Sequence, residues 1–200
     1  MAINCFKILV TGGAGFIGSH LTDRLLNEGF EVSVIDNLDT GRLENIAHHQ
    51  GRRNFHLIKG DIRDSNLVKE TMKEVDIVFH EAALASVTLS VENPILTNDI
   101  NVTGTLNLLK ASSDHHVKRF IFASSAAVYG DTSSPQKREG MTPNPKSPYG
   151  VSKLAAENYV KLFQSLWSRN RLSPLLQRIR SKTTLRHPKH LRRRNNHLHK

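Results

Sequence analysis

A tyrosine and a lysine four residues apart, downstream of two serines, form the group of side chains in this sequence that is best suited to chemistry. Tyr149 and Lys153 lie in the segment SPYGVSK, and Ser124 and Ser125 close an apolar run. On a helix, positions i and i+4 share a face, so the phenol and the ammonium would point into one cleft. A cation beside a phenol favours the phenolate, which can take a proton from a sugar or alcohol hydroxyl while hydride leaves the carbon. The serine hydroxyl would hold the same oxygen.

A glycine-rich turn near the start of the chain predicts where a nucleotide cofactor binds. Gly12, Gly15 and Gly18 fall between an apolar run, ILVT, and leucines at helical spacing. A strand, such a turn and a helix together give a tight bend, a close backbone approach to a pyrophosphate and a helix N-terminus that attracts phosphate. This context separates the fingerprint from an accidental group of glycines.

An acid at the end of the second apolar run predicts the type of dinucleotide. The run EVSVID ends in Asp36, about 20 residues beyond the glycines, where an acidic side chain binds the ribose 2′-hydroxyl. The same carboxylate would repel a 2′-phosphate. We therefore expect NAD rather than NADP.

Apolar runs and helical patterns continue to alternate along the chain. Strands that alternate with helices predict an α/β fold with a doubly wound, Rossmann-like parallel sheet covered on both faces. Ligands bind such sheets at the carboxyl ends of the strands, and Asp61, Ala82 and Ser125 follow such ends. The predicted strands are 54–59, 76–80 and 119–123, and the predicted helices cover about 94–113 and from 148 past 162.

Seven motifs carry a resemblance to a known family: TGGAGFIGS, DNLDTG, GDIRD, HEAALASV, NVTGTLNLL, SSAAVYG and SPYGVSK. In order and spacing they resemble the extended short-chain dehydrogenase/reductases. Within these, the chain is similar to the NAD-dependent nucleotide-sugar epimerases, such as the UDP-glucose and UDP-N-acetylglucosamine 4-epimerases. The resemblance covers about Lys7 to Ser165. It implies a tightly held NAD that oxidises a UDP-sugar at its 4-position and returns hydride to the opposite face, in a family whose intact members are homodimers.

The resemblance also implies a role for each matching residue. Tyr149 would be the base, Lys153 would hold the nicotinamide ribose, and Ser125 would order the 4-hydroxyl. Ser86, Ser124 and Ser125 would contact the substrate. The implied cofactor contacts are Gly12, Gly15, Phe16, Ile17, Gly18, Asp36, Asn37, Asp61, Ile62, Ala82, Ala83, Asn101, Tyr149 and Lys153.

Two details narrow the reaction. Sugar 4,6-dehydratases that resemble this chain carry an acidic pair just after the serine, whereas Ala126 and Ala127 stand here and cannot donate or accept a proton. The resemblance therefore favours epimerisation over elimination. Leu84 is similar to the branch that acts on N-acetylated or uronic sugars, but Thr88 and Leu89 depart from that branch, so the sugar stays open.

The net charge of +10 comes from residues 166–200. Residues 1–165 contain 17 Lys and Arg against 18 Asp and Glu, whereas residues 166–200 contain 11 Lys and Arg and no acid. This tail shows no helical or alternating apolar period, and its histidines lack a metal-ligand spacing, so we expect no metal site. One interpretation is a basic arm on a non-catalytic NAD-binding remnant, which would bind nucleic acid. We rank it second.

We favour the alternative that the tail is read out of frame. Relatives usually continue after this helix with a segment such as YGLETVSLRYFNVYGPRQ, which supplies a sixth strand and a substrate loop. Permitted codons for Leu166 to Thr184, read from the second base, encode that segment. We therefore expect an NAD-binding domain over 1–165 and a disordered tail over 166–200, lacking most of the substrate domain and leaving an unpaired sheet edge. Such a chain is expected to be weakly active or inactive.

Other features concern the setting of the protein. The single cysteine, Cys5, fits a reducing cytosol, no apolar run reaches transmembrane length, and the start lacks a signal pattern. We therefore expect a cytoplasmic protein without membrane contact. His48 and His49 are expected to be solvated loop or helix-end residues.

Overall fold

Six parallel strands form one sheet in the computed structural model, which describes residues 6–131, 136–169 and 175–179. The strand order is β3-β2-β1-β4-β5-β6, and every neighbouring pair is parallel. This arrangement confirms the predicted doubly wound sheet. The strands are β1 (Lys7–Thr11), β2 (Glu31–Asp36), β3 (Phe55–Lys59), β4 (Ile77–His80), β5 (Arg119–Ala123) and β6 (Leu175–Ile179).

Helices connect the strands and cover the sheet. They are α1 (Phe16–Asn27), α2 (Ser65–Thr71), α3 (Val87–Glu92), α4 (Pro94–Asn98), α5 (Gly104–Asp114) and α6 (Pro148–Arg169). The long helix that was predicted over 94–113 consists of α4, a π-helical turn at Asp99–Thr103 and α5. The short helices α2 and α3 were not predicted. Each begins at a side-chain cap, since Asp64 accepts hydrogen bonds from the first turn of α2 and Ser86 from Leu89 in α3.

Alternate residues of β1 face two separate apolar clusters, as a sheet buried on both faces requires. Leu9 packs in the cluster beneath α2, α5 and α6, whereas Ile8 and Val10 pack in the cluster beneath α1. The largest fully buried side chains of the first cluster are Phe120 and Phe122 on β5. Phe122 also forms the floor under the predicted catalytic helix, because the Lys153 ammonium lies 4.3 Å from its ring centroid.

The edge of the sheet beside β5 differs from the prediction. We expected an unpaired edge, but β6 pairs with β5 in parallel over the whole of β5, from Arg119 opposite Leu175 to Ala123 opposite Ile179. The physical reason is that a ladder is formed by backbone groups, so a five-residue run without proline can pair whatever its side chains are. The helix α6 also continues past 165, and Trp167 is buried in the core.

The expected tail disorder and the division at 165 remain predictions. Apart from α6 and β6, the tail lies outside the described residues, and so does Cys5. In the part of the chain that the structure describes, none of the helices combines the length and apolar character needed to span a bilayer.

Candidate functional site

The turn between β1 and α1 leaves no room for side chains at two of its glycines. Gly12 has φ +70°, in the left-handed region, and a Cβ there would lie 2.8 Å from the Cα and N of Ala82. A Cβ at Gly18 would lie 2.2 Å from the carbonyl oxygen of Gly12. The ends of β1 and β4 and the start of α1 therefore approach one another with no room for a side chain at either glycine. The predicted tight turn and close helix-to-strand contact agree with this geometry, whereas the approach of the backbone to a pyrophosphate stays a prediction.

The N-terminus of α1 is open. Gly15 is its N-cap and supplies no side-chain hydrogen bond, and the first turn contains no acidic side chain. The side chains of Phe16 and Ile17 are 82% and 64% exposed, so neither is packed into the core. Free amides and the positive end of the helix dipole can therefore receive an anionic group.

Asp36 fastens this turn to the end of β2. One carboxylate oxygen accepts a hydrogen bond from the Ala14 amide at 2.9 Å, and the other accepts from the Leu38 amide at 2.8 Å. The residue is 7% exposed, and a Cβ at Gly41 would lie 2.7 Å from its Oδ1. Sequence reasoning missed this structural role, which leaves the carboxylate further acceptor positions for a ribose hydroxyl.

A cavity of about 310 Å³ opens beside Asp36. Asp61 lies in its wall with its carboxylate held by the Arg63 guanidinium, at 3.0 Å from Nε and 2.7 Å from Nη2, and by the Asn37 amide at 3.2 Å. The hydrogen bonds from Arg63 hold the pKa of Asp61 below its usual range. Six predicted cofactor contacts therefore line one cavity: Asp36, Asn37, Asp61, Ile62, Ala82 and Ala83.

The predicted catalytic residues are carried by elements that touch each other. Tyr149 is half-buried in the first turn of α6, and Ser125 precedes a 3₁₀ turn in which its hydroxyl accepts from the Ala127 amide at 3.1 Å. A Cβ at Gly150 would lie only 2.8 Å from the Ala127 carbonyl oxygen. The start of α6 is therefore pressed against the turn that presents Ser125.

Lys153 is 3% exposed, which is rare for a lysine. Burial lowers its pKa to about 8, although the carboxylates of Glu81 and Glu157 act in the opposite direction. His80 is buried between the hydroxyls of Thr11 and Thr105, at 2.8 Å from each.

Burial and the charge of Lys153 lower the pKa of His80 to about 3, so this imidazole stays neutral at physiological pH. Its ring nitrogens tie β4 to β1 and α5, and it adds no second cation to the cleft. Sequence reasoning missed His80 and Glu81, because only the fold brings them near Lys153. It also missed Glu157, although the i,i+4 spacing from Lys153 on the predicted helix could have identified that residue.

Asn101 connects the loop after β4 to α6. Its Oδ1 accepts from the Leu84 amide at 2.8 Å, while its Nδ2 donates to the Leu84 carbonyl at 3.2 Å and to the Ser152 hydroxyl at 2.9 Å. The Ser152 hydroxyl donates in turn to the Tyr149 carbonyl at 2.8 Å. The predicted cofactor contact of Asn101 stays a prediction, and the contacts present make it a residue that positions the start of α6.

Two predicted substrate serines have protein partners. The Ser124 hydroxyl donates to Oε2 of Glu157 at 2.7 Å, and the Ser86 hydroxyl accepts from the Leu89 amide at 3.2 Å as the cap of α3. Ser125, whose hydroxyl also meets a backbone amide, is the serine next to the first turn of α6. The substrate contacts of all three remain predictions.

A second polar cluster lies outside this site, where the expectation for one histidine is wrong. His49 is 1% exposed rather than solvated, and Nε2 of His49 and of His48 lie 2.6 Å and 2.9 Å from the same Asp23 oxygen. Partial burial acts to raise the pKa of Asp23, but the hydrogen bonds from both histidines outweigh it and the pKa is lowered. The cluster attaches a 3₁₀ turn to α1.

Comparison with known proteins agrees with this geometry. The family model described as GDP-mannose 4,6 dehydratase matches residues 9–175. A putative UDP-glucose 4-epimerase of Methanocaldococcus jannaschii is 44% identical over 162 residues, which is 80% of this chain and 52% of that protein.

Solved structures give the same result. The UDP-glucose 4-epimerase of Thermotoga maritima, solved with UDP-glucose, has a TM-score of 0.75 at 39% identity, covering 82% of this chain and 52% of that one. The UDP-glucose 4-epimerase of Thermus thermophilus, solved in complex with NAD, has a TM-score of 0.74 at 39% identity, covering 88% of this chain and 54% of that one. The chain spans about half the length of the relatives it matches.

The close approach at Gly18 leads to a stability prediction. Gly18→Ala should lower the free energy of unfolding by about 1–3 kcal/mol, as overpacking does, because its Cβ has no room beside the Gly12 carbonyl. Gly140→Ala is the matched control, because a Cβ there meets nothing within 4 Å. Urea unfolding of both variants checks this, and equal stability of Gly18→Ala and the parent would show that the turn is looser than described.

Proposed function

The chain belongs to the nucleotide-sugar epimerase and dehydratase family, and on that premise we propose that its residues bind NAD and provide the catalytic groups of a UDP-sugar 4-epimerase. One observation carries the proposal: three features lie together at the carboxyl ends of the parallel strands. They are the glycine turn, the cavity beside Asp36 and the start of the helix that carries Tyr149 and Lys153. Ligands of open α/β sheets bind at that edge.

The shape of the turn supports NAD as the cofactor. The open N-terminus of α1 would receive a pyrophosphate, beside the point where Gly12 approaches Ala82 so closely that a side chain there would collide with its backbone. Asp36 would hold the adenine ribose, the cavity beside Asp61 would take the adenine, and Lys153 would hold the nicotinamide ribose. The solved relative from Thermus thermophilus is a complex with NAD, which agrees with this assignment.

The chemistry follows from three side chains. When bound, the nicotinamide would supply the acceptor and donor of hydride. Tyr149 would take the proton of the sugar 4-hydroxyl and return it later, and Ser125 would hold the same oxygen. The buried ammonium of Lys153 lies on the same face of α6, one turn after Tyr149.

Two neighbouring residues support epimerisation over dehydration. Ala126 and Ala127 form the turn directly after Ser125 and carry no proton-transfer group. The family model is described as a dehydratase, whereas the relatives compared above are named UDP-glucose 4-epimerases. Elimination of water needs an acid and a base, and alanine provides neither. The identity of the sugar stays open, the formation of a homodimer remains a prediction, and the nucleic-acid alternative rests on the tail charge alone.

The first prediction concerns cofactor choice. The parent chain should bind NAD at least about tenfold more tightly than NADP, because like charges about 4 Å apart repel by about 4 kcal/mol at an effective dielectric constant of 20. Asp36→Asn should narrow this preference. Since Asp36 also holds the glycine turn through Ala14, the variant should lose some affinity for both cofactors.

Calorimetric titration with each dinucleotide measures the preference. Asp114→Asn, which removes an exposed charge at the end of α5, should keep the parent preference. An unchanged ratio of affinities in Asp36→Asn would show that another group selects the cofactor.

The reading frame after Ser165 gives the second prediction. The described residues form the cofactor side of the cleft, and the shifted frame would add the family segment that follows α6. A chain continued in that frame should convert UDP-glucose or UDP-N-acetylglucosamine, and the 200-residue chain should show weak or no turnover. Coupled assays of both chains check this, and comparable turnover by the 200-residue chain would contradict the frame hypothesis.

The third prediction concerns the base. In the chain continued in the shifted frame, Tyr149→Phe should lower kcat by about 10²–10⁴-fold, because it removes the proton acceptor, and should leave NAD affinity within about twofold. Tyr159→Phe on the same helix is the matched control, since Tyr159 is an exposed tyrosine outside the site. Undiminished turnover of Tyr149→Phe would rule out its role as the base.

A further inference from the structure

Glu157 is a fully buried carboxylate within the predicted catalytic helix. Its exposure is 0%, and it lies one turn after Lys153 and one turn before Lys161 on α6. A buried carboxylate is costly unless hydrogen bonds and opposite charges stabilise it. Oε2 accepts from the Ser124 hydroxyl at 2.7 Å, and Oε1 lies 2.9 Å from the Lys161 ammonium.

The two contacts of Glu157 differ in strength. The side chain of Lys161 is 53% exposed, and ion pairs that reach water contribute little. The bond from Ser124 is short and involves a charged acceptor out of contact with water, and bonds of this kind are among the strong ones. The hydrogen bond from Ser124 is therefore the stronger of these two contacts.

The carboxylate thereby joins the two halves of the site. Ser124 lies directly after β5 and next to Ser125, whereas Glu157 is on the helix that carries Tyr149 and Lys153. We propose that Glu157 is a positioning residue for these three side chains. It attaches the end of β5 to α6 through Ser124, and its charge keeps Lys153 protonated. We call the hydrogen bond between Ser124 and Glu157 the clamp. The proposal rests on the proposed function for the roles of the three side chains, but not for the clamp itself.

The charge of Glu157 acts against the burial of Lys153. Burial lowers the pKa of Lys153 to about 8, and Glu81 and Glu157 oppose that shift. Removing one carboxylate therefore lowers the pKa further. A fall of one unit would reduce the protonated fraction at pH 7 from about 90% to about 50%.

The titratable groups near Lys153 come from two elements. His80 ends β4 and Glu81 follows it, while Tyr149 and Glu157 share α6 with the lysine. The ring of Phe122 on β5 adds a further contact to the ammonium at 4.3 Å. His80 stays neutral, so the two carboxylates are the anions that balance the charge of Lys153. Lowering the pH below about 8 charges the lysine, and raising it above about 8 neutralises it.

The first test observes Lys153 directly. Nitrogen-15 NMR of the lysine side chains in the 200-residue chain, with Lys153→Met to assign the signal, gives the titration midpoint without substrate or cofactor. Glu157→Gln, which keeps the size of the side chain and removes its charge, should lower the midpoint by about one pH unit. Lys161→Met is the control and should shift it by less than about 0.3 unit. An unchanged midpoint in folded Glu157→Gln would overturn the proposal.

The second test covers the case in which Glu157→Gln does not fold. Ser124→Ala removes only the hydroxyl that donates to Glu157, and should speed amide hydrogen exchange at residues 125–127 and in the first turn of α6 by about tenfold. Amides of β2 and β3 serve as the internal reference. Unchanged exchange at residues 125–127 would overturn the clamp.

Activity separates this proposal from the proposed function. In the chain continued in the shifted frame, Glu157→Gln should move the pH profile of kcat in the same direction as the Lys153 midpoint. A shifted Lys153 midpoint and faster amide exchange, with no epimerase activity of the chain continued in the shifted frame, support the clamp and count against the epimerase. A shifted kcat profile with an unshifted Lys153 midpoint overturns the clamp and leaves the epimerase standing.

Discussion

The contact between Gly12 and the backbone of Ala82 is the constraint on which the rest of the structure depends. In the order β3-β2-β1-β4-β5-β6, the chain moves outward on one side from β1 and on the other side from β4. The connections therefore diverge between these two strands and leave a crevice at their carboxyl ends. Because a Cβ at Gly12 would lie 2.8 Å from Ala82, the crevice has a floor made of backbone alone. A phosphate can approach such a floor, and side chains must enter from the elements around it.

The chain supplies those side chains and stabilises the charge of a lysine that is buried away from solvent. A lysine at 3% exposure has lost most of its hydration, and the fold compensates with carboxylates and an aromatic ring rather than with water. The neighbouring His80 is held neutral between two threonine hydroxyls, so it contributes hydrogen bonds without adding a like charge. Among the described residues, Lys153 is the buried lysine of the sheet edge that also carries Tyr149, and Phe122, Glu81 and Glu157 act on its charge.

Local patterns in the sequence were enough to predict β1 to β5 and the main helices. The runs EVSVID and RFIFA are strands with the predicted ends, since apolar runs between turn signals report burial directly. Short elements without a period were missed, as α2 and α3 show, and β6 forms through backbone pairing that no side-chain pattern encodes. The contacts of Asp36 with Ala14 and of Ser124 with Glu157 span 22 and 33 residues, so they exist only after folding. A pattern search could name those residues but could not predict their partners.

The distinction between epimerase and dehydratase shows why the trio alone does not define a reaction. Both reactions begin with oxidation at one carbon, for which a base, a cation and a serine suffice. They differ in the next step, because dehydration requires a proton donor and acceptor at the neighbouring carbons of the sugar. Ala126 and Ala127 occupy the turn that holds Ser125, and the carbonyl oxygen of Ala127 would lie only 2.8 Å from a Cβ at Gly150 in α6. This turn therefore has little space and no acid with which to expel water, which agrees with the proposed return of hydride to the oxidised sugar. On this proposal, two small residues beside the serine would select the reaction, while the Rossmann-like framework is shared by the whole family.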